Sequence, residues 1–182
     1  TFGGYSASLG TVYDSIYEDS DTGANLADLW IDNGSSIWSF EEVESLCSEI
    51  NYSWPSDSKA LDGCEGRIVI NGAMFHNNGT GDYVINSVWH GISPDSEINK
   101  IWFPEGHSEG NSSFSETDIV IDAHVKDALN LTLGDTVSIG IGEGSMEFTI
   151  VGFAFHPMHV YMAPEGSLFP PESGHFVVGY LS

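Results

Sequence analysis

The stretch DIVIDAHVKDALNLTLGDTVSIGIGEGSMEFTIVGFAFHPMHVY, residues 118–161, carries the clearest structural signal in the chain. Ile119, Val120 and Ile121 are consecutive β-branched residues, and 118–121 reads as a strand. Asp122 stands where an N-cap belongs, ahead of a short helix over 122–129. The run LNLTLGD then turns the chain. Gly134 is free to take a positive φ there, and Asp135 can accept from neighbouring backbone amides. A strand over 136–141 follows, Gly142-Glu143-Gly144 reverses direction, and 147–155 is the returning strand. Leu129, Leu131, Val137 and Ile139 are expected to bury against the sheet.

Outward from that block the signals are more scattered. The run 176–181 (FVVGYL) reads as a closing strand. Upstream, 66–75 and 82–88 read as strands around the turn-rich HNNGTG. Residues 39–50 read as a helix: Ser39 and Glu42 form a capping box, and Phe40, Val43, Leu46, Cys47 and Ile50 share a face. A strand is expected over 27–32, closed by Asn33-Gly34, and an amphipathic helix over 5–18. Residues 51–63 read as a loop. No internal repeat is evident. These elements point to an α+β fold of mixed β-sheets with β-α-β units. They form one domain, 1–182, of two approximate subdomains: a core of 1–89 plus 117–182, and an insertion or smaller subdomain over 90–116.

The totals exclude several functions. The chain has 182 residues, 41% of them hydrophobic, which is enough apolar surface to offset chain entropy. Asp and Glu number 27 against 4 Lys and Arg, a formal net charge of −23. Lys59, Arg67, Lys100 and Lys126 are too few and scattered for a phosphate-binding surface, so no nucleic-acid partner is expected. Yet charged residues are only 17%, so basic residues have been lost more than acids gained. An acidic external medium and adaptation to high salt both fit that balance. The longest strongly apolar run, 148–155, is far shorter than the ~18 residues of a membrane span. With no initiator Met, the chain reads as a segment of a longer protein.

Two features point outside the cell. Cys47 and Cys64 are an even pair without metal-ligand spacing. The helix places Cys47 on its apolar face, and the loop after it can return Cys64 within bonding range. A disulfide is therefore expected, the alternative being two buried thiols. N-glycosylation acceptor patterns begin at Asn33, Asn51, Asn78, Asn111 and Asn130, against about two expected by chance for this Asn, Ser and Thr content.

The block 118–161 also resembles the periplasmic core domain of MacB-like ABC-transporter permeases, the MacB/FtsX/LolC type. The matching residues are Leu129, Leu131, Gly134, Asp135 and Val137, then Ile150, Val151 and Gly152. HPMHVY and HFVVGYL are similar to the family's later segments, and ADLWI to the strand after its first transmembrane helix. The likeness is good over 118–181, partial over 1–50 and weak between. It implies an extracytoplasmic domain at the cell membrane, with an archaeal source. Its N-terminal helix would continue a transmembrane span, and both ends would lie together on the membrane side. It implies as partners a cognate ABC ATPase acting through the transmembrane part, a second permease copy, and an extracellular substrate or accessory protein. The alternative is a stand-alone secreted or surface glycoprotein binding module.

Sequence chemistry offers little else. His156-Pro157-Met158-His159 places two histidines three apart, with His175 downstream, but Pro157 opposes the helix that would align them, and no metal is expected. Glu41 and Glu42 suit a helix first turn rather than a catalytic pair. No P-loop, nucleophile elbow or dinucleotide fingerprint occurs in its required context, so no cofactor and no catalytic residue is assigned. Trp30 and Trp89 are expected in the core. Trp54 and Trp102 lie in loops, where a partner contact and core packing weigh equally. The purified chain should accordingly turn over neither nucleotides nor common hydrolase substrates; turnover abolished by one Asp or Glu substitution would refute this.

Overall fold

The computed structural model describes residues 23–32, 34, 36–53, 61–77, 79, 81–111, 115–156, 169 and 171–182. Helix α1 spans Phe40–Ser53. Strands β1 (Ile68–Asn77) and β2 (Asp82–Gly91) form a long hairpin, followed by the two-residue β3 (Glu109–Gly110) and by β4 (Asp118–Asp122). A 3-10 turn, Ala123–Val125, leads into the one-turn helix α2, Lys126–Leu129. Strands β5 (Thr136–Ile141), β6 (Gly144–Ala154) and β7 (Phe176–Leu181) complete the order.

The expected α+β class is corrected by the way these strands pair. The sheet order is β3-β6-β4-β7-β2-β1-β5, and β5 pairs again with β6, so six strands close into a barrel with β3 as a short addition on β6. Mixed β-sheets with β-α-β units do not describe it. Strand positions follow from local periodicity, but closure rests on pairs far apart in sequence, β1 with β5 and β2 with β7, which no local pattern encodes. No helix among the described residues is long and apolar enough to cross a membrane. The helix expected over 5–18, and with it the position of the N-terminal end, falls outside the described residues. Residues 27–32 form no strand.

The pairing has an internal symmetry that the sequence conceals. Hairpin β1–β2 is matched by hairpin β5–β6. The next barrel strand after each hairpin leaves its own half: β4 runs parallel to β6, and β7 runs parallel to β2. The like strands then meet across the axis, β1 antiparallel to β5 and β4 antiparallel to β7. Each half thus inserts its third strand into the other, and neither half forms a closed wall alone.

The barrel is filled, not hollow. Met74, Ile85, Trp89, Ile119, Ile121, Val137, Ile139, Phe148, Ile150 and Val177 make its core, closed at one end by Val125, Leu129 and Leu131. Trp89 is fully buried, and its indole N–H donates to Ser87 Oγ at 2.8 Å. The indole has room because its partner on β7 is Gly179; a Cβ there would lie 2.4 Å from Trp89 Cζ3. The turn after α2 has the geometry expected. Gly134 has φ +90°, Asp135 Oδ2 accepts from Thr132 N–H at 2.7 Å, and Gly134 N–H donates to Ile150 O at 2.8 Å. Leu129, Leu131, Val137 and Ile139 are all buried.

Gly179→Ala should destabilise the chain by about 1–3 kcal/mol, because the indole cannot retreat without straining the opposite wall. Trp89→Ala should cost about 3–5 kcal/mol through the cavity it leaves. Denaturant unfolding followed by circular dichroism checks both.

Candidate functional site

Most of the barrel's outer surface faces solvent, but one wall is buried on both sides. β7 is buried from Phe176 to Tyr180, and β4 from Ile119 to Asp122. On the outward face, Val120, Ala154 and Tyr180 pack with Ile92 beneath Ile101 and Phe103 of the segment that follows β2. That segment, 92–103, lies across the wall as a cover. Its Ile92 N–H donates to Leu181 O, and Trp102 and Phe155 exchange both backbone hydrogen bonds.

Beneath the cover lies a group of polar side chains that sequence reading did not assemble. His90 ends β2 and is 5% exposed; His156 follows β6 and is 4% exposed. Their ring centroids are 4.0 Å apart. Tyr180, the register partner of His90 on β7, stacks on His156 with centroids 5.2 Å apart. Burial pushes the Tyr180 phenol far above its ordinary range, with the Arg67 cation pulling the other way. Asp122 caps the 3-10 turn as expected, accepting from His124 N–H at 2.8 Å. The same carboxylate meets the His124 Nδ1 at 2.7 Å, and the His124 ring packs edge-on against Phe155. Burial raises the Asp122 carboxyl above its usual range; bonds from the His124 and His156 backbone amides and the His124 ring oppose this.

Arg67 fastens the cover. Its guanidinium donates to Asn99 O at 2.9 Å, Ser96 Oγ at 2.8 Å and Ile98 O at 2.5 Å, and lies 3.8 Å from Glu65. Burial lowers its pKa, while Tyr180 and Glu65 favour the charged form. Glu65 in turn accepts from Glu97 N–H and Ile98 N–H. Residues 24–27 add a second layer: Asn99 N–H and Lys100 N–H donate to Asn25 O and Ala24 O, and Ala27 N–H to Asn99 Oδ1. The signal available in the sequence was Arg67 itself, one of only four basic residues and the one opening a strand.

The residues singled out by sequence are dispersed. Cys47 and Cys64 are bonded, with Cα atoms 6.0 Å apart and a separation of 17 residues. The bond ties α1 to the segment before β1, and is worth about 3 kcal/mol by the chain-entropy argument. It does so without a buried helix face: α1 has no buried residue, and Phe40 is 74% exposed. The capping box is present, Ser39 N–H donating to Glu42 and Glu42 N–H to Ser39 Oγ, and it lowers the Glu42 carboxyl. Asn51, Asn111 and Asn130 are exposed; Asn33, Asn78 and Trp54 lie outside the described residues. Trp102 is half-buried and tilted against Phe155. Trp89 is in the core as expected, whereas Trp30 is 46% exposed, a correction. His175 is exposed in the turn before β7, away from any shared ligand set, and His159 lies outside the described residues. No group of three or more His, Cys, Asp or Glu among the described residues is arranged to hold a metal.

Fold and site define a disulfide-bonded, six-stranded β-barrel whose one doubly buried wall carries a covered polar cluster. No protein-family model matches the chain, and no curated protein is significantly similar to it.

Asp122→Ala should cost about 1–2 kcal/mol, the loss of a helix-turn cap. Asp122→Asn should cost less and alter the pH profile. A raised carboxyl contributes stability that is present below the ordinary carboxylate range and is lost as pH rises through the raised value. The Asn variant should therefore gain on wild type as pH rises through that window, measured by unfolding at a series of pH values.

Proposed function

We propose that this chain is the extracytoplasmic domain of a MacB-type ABC-transporter permease, a module that couples movement of a transmembrane part to recognition outside the cell. The disulfide between Cys47 and Cys64 supports an extracytoplasmic compartment, because such bonds persist where thiols are oxidised. The permease assignment rests on the resemblance over residues 118–181. That segment supplies β4, the 3-10 turn, α2, β5, β6 and β7, of which β4 pairs with β6 and β7, and β5 with β6. Its quoted Gly134 and Asp135 form the turn that pins α2 to β6.

The role is mechanical and recognitive, not catalytic. The barrel interior is packed with apolar side chains, and the Arg67 guanidinium holds a backbone segment in place. The partners are a cognate ABC ATPase, reached through the transmembrane part, a second permease copy, and an extracellular substrate or accessory protein.

The native protein, tagged and extracted from its host's membranes in mild detergent, should bring an ABC ATPase with it in stoichiometric amount, identified by mass spectrometry. Recovery from the culture fluid as a soluble glycoprotein, with no ATPase, would replace the permease reading with that of a secreted binding module.

A further inference from the structure

Two imidazoles are buried against each other, their planes tilted by 39°, beside the segment that covers the barrel wall. His90 in β2 and His156, two residues beyond β6, have ring centroids 4.0 Å apart, although β2 and β6 are not neighbours in the sheet. They meet because the chain after β6 folds over the outer wall, where Phe155 pairs with Trp102 of the cover. The histidine pair therefore sits at the joint between the barrel and segment 92–103.

We propose that this joint is a proton-operated latch. With both rings neutral the cover is closed; proton uptake by the pair releases segment 92–103 from the barrel wall. Imidazole is the side chain whose ordinary titration falls between about pH 5 and 8. Two imidazolium rings in contact repel one another, and removal from water disfavours each charge.

The surrounding groups set the sign. From the β1 side, the Arg67 cation faces Tyr180, which stacks on His156; its own neighbour Glu65 is directed to the cover's backbone. From β4, the Asp122 carboxylate is the nearby anion, already bonded by the His124 ring and turned towards the His156 backbone amide. Burial raises that carboxyl, so acid removes its negative charge as well. On the cover, Lys100 is paired with Glu97, and their charges largely cancel. Protons thus add positive charge beside Arg67 while the Asp122 counter-charge weakens. The cover is the element that yields. Among the described residues its hold is made of separate points, namely Arg67, the Ile92–Leu181 bond, the bonds to residues 24–27, the Trp102–Phe155 bridge and a small apolar contact, whereas the barrel strands have continuous ladders.

Hydrogen exchange with mass spectrometry on the full chain, at about pH 7.5 and about pH 5, normalised for intrinsic rates, tests the latch. The amides of Asn99, Lys100 and Trp102 each donate within the closed arrangement. Their protection should fall by about tenfold or more at the lower pH, while that of β5 and β6 is unchanged. His90→Phe and His156→Phe keep a ring but cannot take a proton, and each should flatten the response. His90→Gln and His156→Gln replace either variant that fails to fold. Protection of 99–102 that is independent of pH, or that falls in step with β5 and β6, overturns the proposal. So does a wild-type response retained when both histidines are replaced singly by non-titrating residues.

Discussion

The packing of the Trp89 indole against the backbone of Gly179 is the constraint on which the rest of the barrel depends. A six-stranded barrel has a narrow interior, and one large aromatic side chain fills much of its cross-section. Burying about 200 Å² of indole contributes roughly 5 kcal/mol of transfer free energy at ~25 cal/mol per Å². That gain requires β7 to present no side chain at the level of Trp89, and it fixes the parallel register of β2 against β7. Register matters doubly here. A one-residue slip would turn Val177 outward and Tyr180 into the filled interior.

With β7 locked, its outward residues are committed to the opposite face. Tyr180 must pack outside, beside His90 from β2 and His156 from the end of β6. The outer wall therefore has its own apolar and polar cluster and needs a cover, which segment 92–103 provides. Arg67 satisfies three backbone or hydroxyl acceptors of that segment with one guanidinium, a use for which its planar fork suits it better than an ammonium. Packing inside the barrel and polar chemistry outside it are consequences of one strand's register.

Local features were legible in the sequence wherever neighbouring residues decide the outcome. The capping box of Ser39 and Glu42, the cap by Asp122, the positive φ at Gly134 and the buried set Leu129, Leu131, Val137 and Ile139 all follow from short-range rules. The helix over 39–50 was legible too, but its apolar periodicity promised a buried face that the structure does not supply: α1 is held by the disulfide and lies outside the barrel core. ADLWI reads as a strand by composition, yet it forms none; only its first residue, Ala27, joins the clasp on Asn99.

The sequence by itself determined the six barrel strands, the hairpin turns, the caps and the pair of cysteines, because each depends on residues a few positions apart or on redox chemistry common to all cysteines. Only the tertiary structure decided that the strands close into one barrel rather than spread into mixed sheets. It alone brought together His90, Asp122, His156 and Tyr180, which come from four strand ends spread over about half the chain. The physical reason is the same in both cases. Barrel closure and the buried cluster rest on long-range strand pairing, whose energy comes from burial that exists only once the distant partners have met.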